Sequence, residues 1–447
     1  MVKKLGERGI TVATTVIIAV IVTAIVVGPV VYLAKPAEVV EREVQVPVKE
    51  NVIMGFALGG YIAGSTWDGR YIVAAERLKA LYDWFDYTYD EGVTLEAKDV
   101  SSVAGDLIEG GAGLVVGSWE PVAVPGLRGV ADAYPDVYFL GNIGSDISTK
   151  RNFLRFFPRQ YQAMYLEGLV AGALTETDKI GVAVGPAVVQ NFRRMAAFYL
   201  GIKEVNPDAT LYVKYVGEWY NPAVEREVSV SLVEDWGVDV LTNYTDSTSP
   251  VAVATEKGIW YVGKDTDIVS IGKTALKMDV IGAEPWATTD VVAVSFDTRW
   301  EVIWYHFLKE YLAGVEDPAR LVFLGMDDYI ALPANNPFVP GETKLLTADL
   351  QNDSKVGVDA ISPAARELIS DDVIELIEKR REQMMAGMWD PFFEYELVSS
   401  GRGIDIPELG LTVPAEGEVV KPARTVASDE FLLGMLNFEL EGIVRVE

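Results

Sequence analysis

NFLRFFPRQYQAMYLEGLVAG (Asn152–Gly172), KIGVAVG (Lys179–Gly185), GIKEVNPDA (Gly201–Ala209), EWYNPAVEREV (Glu218–Val228) and TNYTDSTSP (Thr242–Pro250) follow one another between residues 152 and 250. Short apolar runs here alternate with helix-length stretches, Gln160–Leu174, Asn191–Asn206 and Ala223–Trp236. Strands that alternate with helices predict parallel sheets covered on both faces. The stretch reads as two strand–helix units that deliver polar loops to one cleft.

The same rhythm extends in both directions. NVIMGFALGG (Asn51–Gly60), GAGLVVGSW (Gly111–Trp119), VYFLGN (Val137–Asn142), LYVKYVG (Leu211–Gly217), VDVLTNY (Val238–Tyr244), IWYVGKD (Ile259–Asp265) and RLVFLGM (Arg320–Met326) are all short and apolar. One sheet cannot comfortably hold so many strands. The expected architecture is therefore α/β, with two Rossmann-like lobes of parallel sheet divided near Thr175–Asp178. The expected first lobe takes residues 51–175 and about 264–314. The second takes 176–263 and about 315–395, and residues 396–447 form an extension packed on the lobes.

Ligands of open parallel sheets sit beyond the carboxyl ends of the strands. That rule directs attention to residues just past the apolar runs: Tyr61–Trp67, Ser118–Trp119, Gly217–Tyr220, Thr245–Ser247 and Lys264–Asp267. Trp67 offers a flat face for stacking a ring, or else staples its loop to the next helix. Trp119 either completes a sandwich with Trp67 or caps the core. Trp219 precedes Asn221-Pro222, a helix start with proline in the first turn, so helix entry and ligand contact both account for it.

From Gly9 to Ala34 no charged residue occurs, a length that spans a bilayer at roughly 1.5 Å per residue. Lys3, Lys4 and Arg8 precede it, which predicts a cytoplasmic N-terminus and an external body. Residues 1–34 are thus expected to be a retained membrane anchor, a cleaved signal peptide being the rival, and residues 35–50 a stalk. The formal net charge of −28, from 66 acidic and 38 basic residues, argues against a nucleic-acid partner and leaves a neutral ligand unpenalised. Without cysteine there are no disulfides or thiolate metal sites, and the single His306 lies in a helix-like run, so a structural role is expected for it. No GxxxxGK[ST], GxSxG or HExxH motif occurs, and no pair of carboxylates stands out for acid–base work.

The order of these motifs resembles the basic membrane protein family, the purine-nucleoside-binding proteins of ABC importers. The branch in question carries a WY-D/N-PAKERE-like segment, matched here by EWYNPAVEREV, and a later TDS, matched by Thr245-Asp246-Ser247. GFALGGYIAGSTW keeps Gly55, Phe56, Gly60 and Trp67 at the family's spacing, but has Gly64 where the pattern is acidic and Tyr61 where it has proline. SDEFLLGMLNFELEGIV (Ser428–Val444) is similar to the end of the same branch, so the likeness runs from about Gly55 to Val444.

The resemblance implies a type I periplasmic-binding-protein clamshell. It would be displayed outside the cell and close over a purine nucleoside or nucleobase for delivery to an ABC permease and its ATPase. It implies neither a cofactor nor covalent chemistry. It also places Asp265 where a carboxylate can bind ribose hydroxyls, with a bound cation or plain solvation of the GKDTD loop as the alternatives. Asp297 and Arg299 of SFDTRW stand where many members have a lysine. The implied ligand-binding residues are Trp67, Ser118, Trp119, Trp219, Thr245, Asp246, Asp265 and Asp297. The sequon at Asn243 would put a glycan in the cleft and reads as coincidental; that at Asn352 is the better candidate. Two rival readings are a surface receptor that signals instead of transporting, and a hydrolase of nucleosides or glycans.

Overall fold

The computed structural model describes residues 51–447 apart from 63–64, 144–145, 265–267, 269–290, 316, 328–329, 332–344, 347–350, 353–354 and 430. The expected anchor and stalk, Gly64, Asp265 and most of the Asn352 sequon lie outside the described residues. Among those described, no helix is long and apolar enough to cross a membrane.

The chain begins with β1 (Val52–Ala57), α1 (Asp68–Leu81), β2 (Phe85–Asp90), α2 (Val100–Glu109), β3 (Ala112–Gly117), β4 (Tyr138–Asn142) and β5 (Phe153–Pro158). It passes into α3 (Gln160–Leu174), β6 (Lys179–Val184), α4 (Val189–Val205), β7 (Thr210–Tyr215), α5 (Pro222–Glu234), β8 (Val240–Tyr244), α6 (Ser249–Lys257), β9 (Trp260–Gly263) and β10 (Val292–Ser295). Then come α7 (Trp300–Leu312), β11 (Leu321–Leu324) and α8 (Asp371–Met385). Local chemistry sets several helix starts. Asp99 caps α2 by accepting from the Ser101 and Ser102 amides, and Asn221 caps α5 ahead of Pro222.

Two parallel sheets result. One runs β2-β1-β3-β4-β5-β11, the other β7-β6-β8-β9-β10, with the short strand Val444–Arg445 added outside β7. β1 and β3 are buried along nearly their whole length, as strands with helices on both faces must be. The sheets therefore organise two lobes, as expected, but the exchange of chain between them differs. β10, expected in the first lobe, extends the second sheet beside β9, and β11, expected in the second, extends the first beside β5. An apolar run specifies a strand but not which of two similar open edges it joins. α7 does return to the first lobe, where Trp300 and Trp304 pack on Tyr71 of α1 and Phe156 of β5.

The C-terminal segment folds against the second lobe. Leu397–Gly403 pairs with Val419–Lys421 and with Phe438–Leu440, and the latter packs on α4. Buried Glu439 accepts from Tyr215 Oη of β7 at 2.8 Å, Arg402 Nε at 2.9 Å and Arg445 Nε at 3.0 Å. His306 sits on α7, 3.8 Å from Glu310, which is a helix-surface pairing.

Candidate functional site: a cavity at two switch points

In both sheets the strand order reverses around the first strand, between β1 and β3 in one lobe and between β6 and β8 in the other. The crevice beyond such a reversal is where open α/β sheets hold ligands. Here the two crevices face each other. They border a partly open cavity lined by Trp67, Ser118, Trp119, Glu120, Asn142, Gln190, Arg194, Trp219 and Asp246.

The first lobe's wall is built around Asp68, the first residue of α1 and fully buried. Its carboxylate accepts from Ser118 Oγ at 2.5 Å, Trp119 Nε1 at 2.9 Å and Ser65 Oγ at 3.2 Å. Burial pushes its pKa up to about 6, Asp246 across the cleft pushes the same way, and those hydrogen bonds pull back only in part. The Trp119 ring lies on Gly59, where a Cβ would fall 2.2 Å from Trp119 Cγ. Ser118 Oγ also accepts from the Gly59 amide at 2.9 Å. Its carbonyl takes hydrogen bonds from Trp67 Nε1 at 3.1 Å and Asn142 Nδ2 at 2.9 Å.

Trp67 packs into the first lobe and also lines the cavity. Only 5% exposed, it stacks on Phe157 at 6.1 Å and meets Trp300 edge-on at 5.1 Å, while still lining the cavity. The Arg194 guanidinium lies 5.7 Å and the Lys264 ammonium 5.8 Å from its ring centre.

From the second lobe, Asp246 accepts from Lys264 Nζ at 2.9 Å, and its amide donates to the Trp219 carbonyl at 2.8 Å. Its own carbonyl accepts from Thr66 N at 3.1 Å and Thr66 Oγ1 at 3.2 Å, so the lobes touch directly beside the cavity. Thr245 does not line the cavity. Its hydroxyl donates to buried Glu225 at 2.7 Å, as Ser247 Oγ does at 2.6 Å, while Glu225 also accepts from the Asn221 amide at 2.9 Å. Burial raises the pKa of Glu225, and the Ser247 and Thr245 hydroxyls counter it. In this chain Glu225 of the NPAVERE segment locks the TDS loop in place.

Asp297 lies elsewhere. It pairs with Arg70 and, at 3.1 Å, with Arg77, which also reaches Glu301 at 3.2 Å; Glu301 accepts from Arg299 Nε at 2.7 Å. Burial opposes its charge, yet Arg70, Arg77 and Arg299 hold its pKa below the usual carboxylate range. This cluster pins the crossing between β10 and α7 to α1, and Asp297 is not among the cavity-lining residues.

Of the expected binding residues, Trp67, Ser118, Trp119, Trp219 and Asp246 converge. Thr245 braces their loop, Asp297 is spent on ion pairs, and Asp265 lies outside the described residues. Sequence reading passed over Asp68, Glu120, Asn142, Gln190 and Arg194. Asn142 ends the VYFLGN run and Glu120 follows directly on Trp119, so the strand-end rule carried one residue further would have found both.

A profile described as ABC transporter substrate-binding protein, PnrA-like (Bmp), matches residues 52–315. The chain belongs to this family. Its members are substrate-binding proteins rather than enzymes, and they act outside the cytoplasm. The chain is 27% identical over 238 residues to a putative ABC transporter glucose-binding protein of Haloferax volcanii, covering 53% of this chain and 58% of that one. It is 29% identical over 225 residues to a purine-binding protein of Brucella abortus, covering 49% and 62%. The chain thus spans about three fifths of each relative's length. Among solved structures, a solute-binding protein of an ABC transporter system from Aeropyrum pernix K1 superposes with a TM-score of 0.54 at 16% identity, over 76% of this chain and 92% of that one. One from Conexibacter woesei DSM 14684 gives 0.51 at 22% identity, over 76% and 98%. These two matches establish the shared fold.

Proposed function

We propose that the Bmp-family chain captures a purine nucleoside or nucleobase between its lobes and passes it to an ABC permease driven by an ATPase. Residues 1–34 anchor it, with the body outside the cell membrane. The observation that carries this reading is the cavity itself. Three indoles and hydrogen-bonding side chains from both lobes meet where the strand order of both sheets reverses. A flat heteroaromatic ring suits indole walls, each base–aromatic stack contributing about 1–3 kcal/mol. Trp67, Trp119 and Trp219 supply those walls, Ser118 and Asp246 the polar contacts. Asp265 is proposed as the ribose acceptor.

The Brucella relative, a purine-binding protein, supports the ligand class. The Haloferax relative, a putative glucose-binding protein, favours a second reading in which the same indoles hold a sugar. A thermal-shift screen against purine nucleosides, nucleobases, glucose and amino acids separates them. Ligand at ~100 times its Kd stabilises the fold by about 2.7 kcal/mol. A shift confined to purines is expected; a shift with glucose alone would transfer the assignment to sugars.

A further inference from the structure

The chain passes from the first lobe to the second between β5 and α3, and returns between β10 and α7. Gln160, the buried first residue of α3, joins these two crossings, because its Nε2 donates to Thr298 Oγ1 at 2.7 Å. Its Oε1 accepts from Arg194 Nη2, and Arg194 lines the cavity. A guanidinium can only donate, so the carboxamide cannot flip without setting its own N–H groups against Arg194. The Arg194 guanidinium in turn lies 5.7 Å from the ring centre of Trp67, a cavity wall of the first lobe, and 5.7 Å from that of Phe157 at the first crossing. One buried run of contacts thus leads from the ligand-facing surface to both crossings. Thr298, at its far end, is not among the cavity-lining residues.

We infer that Gln160 is a positioning residue that makes the Arg194 side of the cavity and the two crossings move as one, so that seating a ligand and closing the lobes are a single step. The inference rests on the capture of a ligand between the lobes proposed above, and deepens it. A ligand shifts a conformational equilibrium only through contacts that differ between the two states. Arg194 supplies such a contact, since rotation at either crossing moves Gln160 and with it the guanidinium. With the link cut, the closed arrangement is less populated, and the apparent Kd rises by the same factor.

The chain has no cysteine, so Asp106→Cys on α2 and Glu227→Cys on α5, both exposed, place one spin label on each lobe of the full chain in detergent. In the ligand-free protein, Gln160→Met and Thr298→Val should each broaden the distribution of distances between the labels. Gln160→Glu should keep the wild-type width, because a carboxylate accepts from Arg194 and from the Thr298 hydroxyl alike. Calorimetric titration with adenosine, guanosine and inosine gives the second readout. Affinity for the best of the three should fall at least about fivefold in Gln160→Met and Thr298→Val, and stay within about twofold in Gln160→Glu. A purely structural role would lower the melting temperature of Gln160→Met yet leave distances and affinity as in the wild type, and that result overturns the inference. So does a Gln160→Glu protein that behaves like Gln160→Met. If Gln160→Met does not fold, the near-isosteric Thr298→Val decides in its place. Failure of the wild type to bind any of the three removes the purine reading, and the ligand-free distances then decide this inference alone.

Discussion

Asp68 holds Ser118, Trp119 and Ser65 with a carboxyl that burial lifts from an ordinary 3.8 to about 6. A carboxyl raised in the fold is protonated there before it is protonated in the unfolded chain. Its contribution to stability is complete below about pH 4 and is lost as pH rises through about 6. Asp68→Asn cannot ionise, so it should gain on the wild type by on the order of 2 kcal/mol between pH 4.5 and pH 7.5. Urea unfolding of both proteins at the two pH values measures this. A stability difference that does not change with pH would mean that Asp68 titrates normally.

Helix packing carries the argument at the scale of elements. α3 and α4 cross at glycines: a Cβ on Gly201 would lie 2.1 Å from the Tyr165 carbonyl oxygen, and one on Gly168 2.2 Å from that of Phe198. Both obstacles are backbone, so neither can rotate aside. Overpacking of this kind costs about 1–3 kcal/mol or more, and Gly201→Ala should lose at least ~2 kcal/mol by urea unfolding. Gly129→Ala, with nothing within 4 Å of the new methyl, should stay within about 0.5 kcal/mol of the wild type. Because α4 carries Gln190 and Arg194 at the cavity, separating these helices also displaces ligand-facing side chains.

Elements of this kind were only partly legible in the sequence. β1, β3, β6 and β8 were readable because strands covered on both faces are continuous apolar runs bounded by glycine or polar residues. The sheet edges were not, since β10 and β11 are both short apolar runs and nothing in either says which open edge it joins. Tryptophans at strand ends stood out by residue type. Asp68 did not, because an acidic residue at a helix start ordinarily signals favourable helix electrostatics and a solvated surface. Nothing in its neighbours along the chain shows that Ser118 and Trp119 arrive from 50 residues away to surround it.

At the scale of the whole molecule, contacts other than the cavity also join the lobes. Thr66 donates to the Asp246 carbonyl, and the Arg193 guanidinium of α4 lies 5.1 Å from the Phe157 ring centre and 5.2 Å from that of Phe323 in the first lobe. The C-terminal segment reinforces the second lobe through Glu439, whose carboxylate is shared by Tyr215, Arg402 and Arg445. Glu439 is buried but Arg402 and Arg445 are more than a third exposed and stay solvated without it, so Glu439→Ala should cost about 1–2 kcal/mol, chiefly the lost Tyr215 and arginine hydrogen bonds. The loss should appear as one cooperative transition if the segment is integral to that lobe. A separate early transition would show instead that residues 397–447 unfold on their own.

The central claim is that a purine binds in the cavity beneath Trp119, and calorimetric titration of the wild type and of Gly59→Ala with adenosine, guanosine and inosine tests it most directly. A methyl on Gly59 would overlap the Trp119 ring and dislodge that wall without touching the second lobe. The account predicts saturable binding of one purine per wild-type chain, weakened at least tenfold in Gly59→Ala while circular dichroism stays unchanged. Absence of binding heat with every purine, or equal affinity in the two proteins, would contradict it.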